Sequence, residues 1–224
     1  MAKLTIHGQK PKPSAPLFVK FNMPTYNLKN QLTPDQNYHQ GLLPQRNKRD
    51  LYYRQTSCRS RLDNFSLSSE NRRIINKTQD FSSKLIPLKD FVLTPAIKKT
   101  ITAWTKKLNW NFPPSSIKNV FSHHIFTHLY IWQNKNQQTI AYSLCYFSDQ
   151  ISHIAYVFYN PDLAHSNLPI RLTLQTIIDS QTKGLKFCYL GRFSLKNGYY
   201  KRNMPGFEVY DYQKKLWLSY KKIN

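Results

Sequence analysis

The sequence predicts an α+β fold with a mixed β-sheet, and three observations in the C-terminal half support this prediction. In residues 154–159, the side chains that would point to one face of a strand and those that would point to the other are all apolar or aromatic. This is typical of a strand covered on both faces. Apolar residues then recur on one helical face between Asn167 and Gly184, with Pro169 in the first turn. Residues 187–190 supply a further strand. A strand–helix–strand unit of this length favours a parallel pair joined by a right-handed crossover.

The segments before this unit predict an antiparallel meander. Residues 126–132 and 139–147 are rich in β-forming residues and are joined by the polar loop 133–138. This order of strands resembles that of the GNAT acyltransferases. An acetyl-CoA enzyme of that shape carries a glycine-rich loop for the pyrophosphate before its long helix, but residues 162–167 contain no glycine. We therefore expect a GNAT-like mixed sheet without CoA and without another cofactor.

The N-terminal half predicts a smaller α/β unit. A helix begins at Ser68, and an amphipathic helix covers residues 91–110. A further short helix is expected within residues 116–126. Residues 51–54 and 64–67 have the composition of short strands.

The net charge indicates a polyanionic partner. The chain has 33 Lys and Arg against 11 Asp and Glu, a net charge of +22. Self-repulsion of this size opposes compaction, and a polyanion that binds and releases counterions relieves it. Tyr and Phe are interleaved with the cations, which favours RNA because exposed aromatic faces stack on unpaired bases.

Other classes of protein are disfavoured by the sequence. It has no apolar run of about eighteen residues or more and no secretory signal, so we expect a cytoplasmic protein without a membrane partner. The three cysteines are far apart and lack zinc-ligand spacing, so no metal site is expected.

Residues 156–217 resemble the C-terminal half of the arginyl/leucyl-tRNA–protein transferases, which include the bacterial aspartate/glutamate leucyltransferases. That family reads Y-x-F-Y-D-P, a helix, Y-L-G-Y, then M-x-Y-K…R-P-x-E and a final Trp. The matching positions here are Tyr156, Phe158, Tyr159, Pro161, Tyr189, Leu190, Gly191, Tyr200, Lys201, Pro205, Glu208 and Trp217. A weaker match in residues 38–81 involves Gly41, Tyr53, Arg54, Cys58, Arg61, Phe65, Ser68, Arg72 and Arg73. Several cysteines of the family are missing, so the chain resembles a divergent member.

The resemblance and the composition together suggest three segments. The proline-punctuated residues 1–37 are expected to form an arm. Residues 38–113 are expected to form an N-terminal transferase-like domain, and residues 114–224 a GNAT-like aminoacyltransferase domain.

The resemblance also implies an activity. It implies transfer of an amino acid, Leu or Arg, from charged tRNA to the N-terminal α-amine of a protein whose first residue is acidic, as in the N-degron pathway of protein degradation. The partners would be an aminoacyl-tRNA and the N-terminus of an acceptor protein. Because the ester is already activated, the enzyme must position the reactants, help the amine to lose its proton and stabilise an oxyanion.

Candidate site residues follow from the resemblance and from their place in the predicted elements. The candidate catalytic residues are Tyr156, Tyr159, Asn160 and Glu208. The candidate substrate- and tRNA-binding residues are Arg54, Arg61, Arg72, Arg73, Tyr189, Gly191, Tyr200, Lys201 and Arg202. Asn160 stands where the family has Asp and can instead cap a turn before Pro161. Glu208 can polarise the amine or pair with Arg202.

Two other functions remain open at this point. One is an acyl-CoA-dependent GNAT acyltransferase, against which the missing glycine loop counts. The other is a non-catalytic relative that binds tRNA or another RNA, which the Asn160 replacement favours.

Overall fold

The computed structural model describes residues 32–48, 51–63, 65–123, 125–194 and 198–220. The helices in these ranges are α1 (Pro34–His39), α2 (Ser69–Lys77), α3 (Pro95–Lys107), α4 (Pro114–Phe121) and α5 (Leu168–Thr182). The strands are β1 (Leu42–Pro44), β2 (Tyr52–Arg54), β3 (Ser57–Arg61), β4 (Ser82–Pro87), β5 (His128–Gln133), β6 (Thr139–Phe147), β7 (Ile151–Tyr159), β8 (Phe187–Arg192), β9 (Phe207–Asp211) and β10 (Leu216–Ser219). Short 3₁₀ turns span Leu88–Asp90, Pro161–Ser166 and Tyr199–Asn203.

An eight-stranded mixed sheet has the order β10-β9-β3-β8-β7-β6-β5-β4. Its strands β5, β6 and β7 form an antiparallel meander, and β7 pairs with β8 in parallel through the α5 crossover. The predicted α+β class, GNAT-like mixed sheet and strand–helix–strand crossover are therefore confirmed. The two remaining strands, β1 and β2, form a separate antiparallel pair.

The crossover helix α5 begins and ends where its sequence requires. Asn167 is its N-cap residue at φ 63°, and Pro169 occupies the first turn, where a missing N–H costs no helical hydrogen bond. At the other end, Gly184 has φ 73° and ends the helix in the left-handed conformation that glycine adopts without strain.

Helices cover the sheet on both faces. On one face, Ile74 of α2 and Leu172 and Ile177 of α5 belong to a core that also contains Trp132 of β5. On the other face, the second core joins α1, α3 and α4 to the sheet. Burial on both sides explains why the central strands are apolar throughout rather than alternating with polar residues.

Two sequence expectations need correction in the strand assignment. Residues 65–67 do not form the strand predicted for 64–67, because Phe65 and Leu67 pack against the core from a non-repetitive segment that leads to the Ser68 helix cap. The strand of this region is instead β3, which was not predicted. Strands β9 and β10 were not predicted either.

The strands of the predicted N-terminal and C-terminal domains share one sheet. β3 comes from residues 38–113 and is hydrogen-bonded to β8 and β9, which come from residues 114–224. The predicted boundary near residue 113 thus falls between two segments of a single sheet. Residues 1–31 of the predicted arm lie outside the described residues, and its last part enters α1.

The helices found in the described ranges are short. None of them has both the length and the apolar character that crossing a bilayer requires.

Candidate active site

The two parallel strands of the sheet separate after a short stretch of pairing. β7 and β8 pair only at Ile151–Phe187, Ser152–Cys188 and His153–Tyr189, and beyond these pairs each strand continues with other neighbours. We call the space between residues 154–159 and 190–192 the fork. Open α/β sheets bind ligands at such places, beyond the carboxyl ends of parallel strands.

Strand irregularities lie at the base of the fork. The β6–β7 register shifts between Leu144 and Cys145, which leaves Ala155 without a register partner on β6. The β3–β8 register shifts between Cys58 and Arg59, which leaves Leu190 without one on β3. Such bulges bend a strand and are over-represented next to active sites. Here they let β7 and β8 turn away from each other.

Lys201 reaches from the 199–203 turn to the backbone of β8. Its Nζ donates to the carbonyl oxygens of Leu190 at 2.6 Å and of Arg192 at 2.8 Å. Both carbonyls lie beyond the last residue that β8 pairs with β7. The residue between them, Gly191, has φ 76°, a conformation that strains any residue with a Cβ. Beyond Tyr189, β7 no longer supplies hydrogen bonds to β8, and the Lys201 ammonium donates to the β8 carbonyls in its place.

A buried histidine lies at the base of the fork. His153 is 3% exposed, and its Nδ1 is 2.7 Å from the hydroxyl oxygen of Tyr38, which is fully buried. Burial, followed by the charge of Lys201, lowers the pKa of His153 to about 3. The imidazole is therefore neutral at physiological pH.

Aromatic and cationic residues border the fork on the face covered by α1, α3 and α4. The Arg46 guanidinium lies 4.5 Å from the centre of the Phe112 ring and donates to the backbone oxygen of Asn111. Burial raises the pKa of Tyr53, while the nearby charges of Arg192 and Arg46 act to lower it. Two cations therefore converge on Tyr53. We call Arg46, Tyr53, Phe112 and Arg192 the rim.

Glu208 forms a buried ion pair with a residue that the sequence did not suggest. Arg59 Nε donates to Glu208 Oε2 at 2.8 Å, and the two side chains are 8% and 12% exposed. The Arg59 guanidinium also lies 3.7 Å from the centre of the Phe187 ring and 4.3 Å from that of Trp217. Of the two roles considered for Glu208, pairing with Arg202 is therefore wrong. Arg202 instead lies over the ring of Tyr199 at 3.5 Å.

Several predicted residues lie at or near the fork. Tyr159 ends β7 and contacts the 40% exposed indole of Trp110 edge to face. The Tyr200 hydroxyl lies 3.5 Å from Thr173 Oγ1 of α5, at the limit of a hydrogen bond. Gly191 and Lys201 form the β8 side, as described above.

Tyr156 and Tyr189 lie in aromatic packing close to the fork. Tyr156 packs edge to face with Phe112 and with Phe126. Tyr189 is buried, and its hydroxyl lies 3.0 Å from Nδ1 of His39. Burial raises the pKa of Tyr189 to about 12, so it does not ionise near neutral pH.

Asn160 caps the turn that follows β7. Its Oδ1 accepts the N–H of Asp162 at 3.1 Å, and its own N–H donates to Ile140 O at 2.8 Å. The first contact is that of the turn-capping interpretation, and the second joins the end of β7 to β6. The catalytic role considered for Asn160 stays a prediction.

The four arginines of the N-terminal half that the sequence predicted as substrate or tRNA contacts, Arg54, Arg61, Arg72 and Arg73, lie elsewhere. Arg61 pairs with Asp63, and Arg73 pairs with Glu70. Arg72 donates to the Leu67 carbonyl, and Arg54 lies over the Tyr212 ring. None of these contacts brings an arginine to the fork.

A surface depression of about 600 Å³ lies at the opposite end of β8, lined in part by Arg61, Gln181 and Lys186. We place the candidate site at the fork because bulged strands, a buried imidazole and an ammonium meet there. The depression is lined by cations, but one of them, Arg61, is already paired with Asp63.

The entry to α5 does not fit the pyrophosphate of CoA. In the Pro161–Ser166 turn, the N–H of Leu163 donates to Asn160 O, and that of Asn167 to Ala164 O. Pro169 has no N–H in the first turn of α5. These amides are used within the turn or are absent, whereas a phosphate cradle needs them free and convergent.

Comparison with known proteins shows that this chain is similar to several solved structures in its fold. No family model matches the chain, and no curated protein matches its sequence. The C-terminal domain (DUF2156) of a protein described as a lysylphosphatidylglycerol synthetase from Agrobacterium fabrum has 12% identity and a TM-score of 0.46, over 63% of this chain and 48% of that one. L-PGS from Bacillus licheniformis has 11% identity and a TM-score of 0.43, over 64% and 47%.

A GCN5-related glucosamine N-acetyltransferase region of a fungal multi-domain GH3 β-N-acetylglucosaminidase has 12% identity and a TM-score of 0.46, over 70% of this chain and 20% of that one. The chain spans about half the length of the first two structures. At these identities and scores the similarities describe backbone arrangement alone. The resemblance to the arginyl/leucyl-tRNA–protein transferases stays a prediction.

Sequence reasoning missed His153, Tyr38, Arg59 and the rim arginines. His153 lies at the edge of a predicted strand, where a histidine gives no periodic signal. Tyr38 and Arg59 are brought to the sheet by α1 and β3, from segments 115 and 149 residues away from their partners His153 and Glu208. No local pattern could have joined them.

The buried His153 predicts a pH dependence of stability. The unfolded chain binds a proton at this side chain below about pH 6.5, whereas the folded chain does not until about pH 3. Stability contributed by the neutral imidazole is therefore present above pH 6.5 and is lost as the pH falls. We expect a loss of about 2 kcal/mol between pH 6.5 and pH 5. Urea unfolding of the wild type and of His153→Gln measures it.

The difference between these two proteins isolates the His153 contribution. His39 and His128, whose pKa values are also lowered by burial, add the same trend to both. Parallel curves of unfolding free energy against pH would contradict a neutral buried His153.

Proposed function

We propose that this protein transfers an aminoacyl group from charged tRNA to an amine, with the reaction at the fork. The observation that carries the proposal is the α5 entry, where the amides of Leu163 and Asn167 are used within the turn and Pro169 has none, an arrangement unlike the pyrophosphate cradle of a CoA enzyme. An acyl-transfer scaffold that cannot take its group from CoA needs another activated donor. An aminoacyl ester of RNA is such a donor.

The composition of the rim supports RNA as the carrier. Arg46 lies over the ring of Phe112, and the charges of Arg46 and Arg192 act on Tyr53, so cations and aromatic faces occur together beside the fork. Single-stranded RNA binds surfaces of this kind, where bases stack on the rings and phosphates contact the cations. The exposed Trp110, held against Tyr159, offers a further stacking face. The net charge of +22 supplies the long-range attraction.

The reaction is an aminolysis. The acceptor amine loses a proton, and its nitrogen attacks the ester carbonyl carbon to give a tetrahedral oxyanion. The new C–N bond stays, the bond from carbon to the ribose oxygen breaks, and that oxygen takes up a proton. A free α-amine has a pKa of about 8, so a modest environment suffices to deprotonate it. Positioning and stabilisation of the oxyanion are then the main demands on the protein.

For the acceptor, we propose a protein N-terminus with an acidic first residue, and for the cargo Leu or Arg. The rim cations support an acidic residue because a guanidinium binds a carboxylate in a bidentate manner. The rim ring of Phe112 packs edge to face against Tyr156 of β7, with 5.8 Å between the ring centres. The rim therefore extends toward β7 at the fork.

A transfer assay tests this proposal. The protein is incubated with tRNA charged with labelled Leu, Arg or other amino acids, and with a peptide that begins with Asp. We expect label on the peptide, and we expect retention of tRNA to weaken steeply with rising salt because counterions are released on binding. The variant Trp110→Leu should bind RNA with about fivefold to a hundredfold lower affinity, which corresponds to about 1–3 kcal/mol for one stacked base.

Matched controls separate the parts of the proposal. An N-acetylated copy of the same peptide has no free amine and should remain unlabelled. The variant Val92→Ser removes a side chain that is 74% exposed at the far end of α3 from Trp110, and it should bind RNA as the wild type does. Transfer from an acyl-CoA thioester without RNA would contradict the proposal.

A non-catalytic RNA-binding protein is the second candidate function. It is favoured by the engagement of Glu208 with Arg59 and of Asn160 with its turn, which leaves neither predicted group free to act as a base. Retention of tRNA without label on any peptide would support this candidate instead.

A further inference from the structure

The helix α3 is strongly cationic. It contains Lys98, Lys99, Lys106 and Lys107 and no acidic residue. Of these lysines, only Lys107 forms an ion pair with a described residue, which is Asp162. Lys106 and Lys107 suit the negative C-terminal end of a helix, but Lys98 and Lys99 lie near the positive N-terminal end, where an acidic residue would be stabilising. The stability of α3 therefore does not explain its charge.

Two of these lysines share one face of α3 with a small residue between them. Lys99, Ala103 and Lys106 are exposed and lie at positions i, i+4 and i+7 of the helix. At a rise of about 1.5 Å per residue, the two lysines are about 10 Å apart along the helix axis. We call these three residues the stripe. Because Ala103 has no long side chain, a phosphate backbone can approach the helix between the two ammonium groups.

The C-terminal end of α3 lies beside the fork. The N–H of Trp110 donates to Thr105 O at 2.9 Å, and Asn109 has φ 53°, so the chain folds back on the last turn of α3. The indole is thereby held against the ring of Tyr159, the last residue of β7, with 6.0 Å between the ring centres. A ligand that lies along the stripe therefore meets the fork at Trp110.

The stripe and the entrance of the fork suit different forms of RNA. None of the exposed residues of α3 is aromatic, so the stripe offers unpaired bases no ring on which to stack. It offers charge alone, which suits a base-paired stem because the bases of a stem are stacked inside the duplex and its phosphates face outward. At Trp110 and Tyr159 the surface becomes aromatic, and unpaired nucleotides bind such surfaces.

We propose that the stripe binds the base-paired stem of the donor RNA, while the unpaired 3′ end of that RNA passes Trp110 into the fork. This inference rests on the proposed function, because it assigns a surface to part of the same donor. The protein would thus recognise a stem that continues into an unpaired end, rather than a base sequence. The exposed Lys118 belongs to α4, which shares a core with α3 and contains no acidic residue, and it extends the cationic surface.

Three RNAs test this assignment: a hairpin with an unpaired 3′ end, the same hairpin with a blunt end, and the unpaired segment alone. We expect Lys99→Met/Lys106→Met to bind both hairpins about tenfold to a hundredfold more weakly at about 0.1 M salt. The slope of log affinity against log salt concentration should decrease by about two, because two phosphate contacts are lost. The affinity for the unpaired segment should not change.

Trp110→Leu should show the complementary pattern. We expect it to bind the hairpin with the unpaired end and the unpaired segment more weakly, and to bind the blunt hairpin as the wild type does, because it removes a stacking face and no charge. A Trp110→Leu variant that binds the blunt hairpin as weakly as the stripe variant does would contradict the division between stem and unpaired end.

The control Lys183→Met/Lys186→Met removes the same charge from exposed residues between α5 and β8, at the end of β8 opposite the fork. It should bind all three RNAs nearly as the wild type does. Equal weakening of hairpin binding in the control and in the stripe variant would overturn the inference, because general attraction would then explain it. So would a stripe variant that binds both hairpins as the wild type does. Lysine and methionine have similar helix propensities, and circular dichroism verifies that both variants keep the fold.

Separate measurement of binding and transfer distinguishes this inference from the proposed function. A wild type that binds the hairpins through the stripe but transfers no label would contradict the proposed function and leave the inference standing. A wild type that transfers label, with a stripe variant of unchanged affinity for the hairpins, would do the reverse. A wild type that binds none of the three RNAs would overturn both.

Discussion

Glu208→Gln is expected to lower the free energy of unfolding by about 3–5 kcal/mol. The Glu208 carboxylate is the partner of Arg59 at 2.8 Å, and the two side chains are 8% and 12% exposed. The substitution leaves a buried guanidinium without an opposing charge, and the rings of Phe187 and Trp217 offset only part of that cost. Urea unfolding followed by circular dichroism measures the change.

The pair between Arg61 and Asp63 is the matched control. It also joins a guanidinium of β3 to a carboxylate, but both side chains are about half exposed, at 52% and 51%. Arg61→Gln should therefore leave the unfolding midpoint almost unchanged, because water screens an exposed pair. A Glu208→Gln protein of wild-type stability that has lost transfer activity would contradict this prediction. Such a result would restore the catalytic role that the sequence suggested for Glu208.

Lys201→Met is expected to slow the transfer step by about 10²-fold or more and to lower stability by about 3 kcal/mol. The ammonium donates to two β8 carbonyls, and the variant leaves both without that donor. It also removes the positive charge next to His153. Single-turnover transfer and urea unfolding measure the two effects.

The affinity for RNA separates two roles of Lys201. With two of its donors used by the backbone, the ammonium is positioned to act at the fork rather than on a phosphate. We therefore expect the affinity of Lys201→Met for charged tRNA, and its salt dependence, to match those of Lys214→Met, which removes an exposed cation from the turn before β10. A specific loss of tRNA affinity with an unchanged rate of transfer would show that Lys201 binds the tRNA, which is one of the two binding roles that the sequence suggested, the other being contact with the acidic first residue.

The periodic elements of the fold could be predicted because their signals are local. The strand at Thr139–Phe147 and the helix between Asn167 and Gly184 follow from composition, capping and periodicity within a few turns of chain. The crossover follows from their order. β3 gave no such signal, because apart from Cys58 its residues are polar or charged, and its first four residues are buried only through partners on both sides.

The residues of the candidate site also divide into those with a local sequence signal and those without one. Gly191, Tyr200 and Lys201 were found from the sequence because they stand in one short segment that resembles a family motif. His153 was not found, since its environment depends on Tyr38, which lies 115 positions away in the sequence. The arginines predicted with the site have local partners or other surfaces, which a charge pattern cannot reveal.

By itself the sequence determined the α+β class, the crossover and the basic charge, because each depends on neighbours along the chain or on composition alone. Only the tertiary structure decided where β7 and β8 part, which carboxylate forms a buried ion pair and which buried nitrogens of the described residues lack a hydrogen-bond partner. These features arise from contacts between residues that are distant in the sequence, such as Ile151 with Phe187, Tyr38 with His153 and Arg59 with Glu208. Such contacts form only when the sheet brings their strands together.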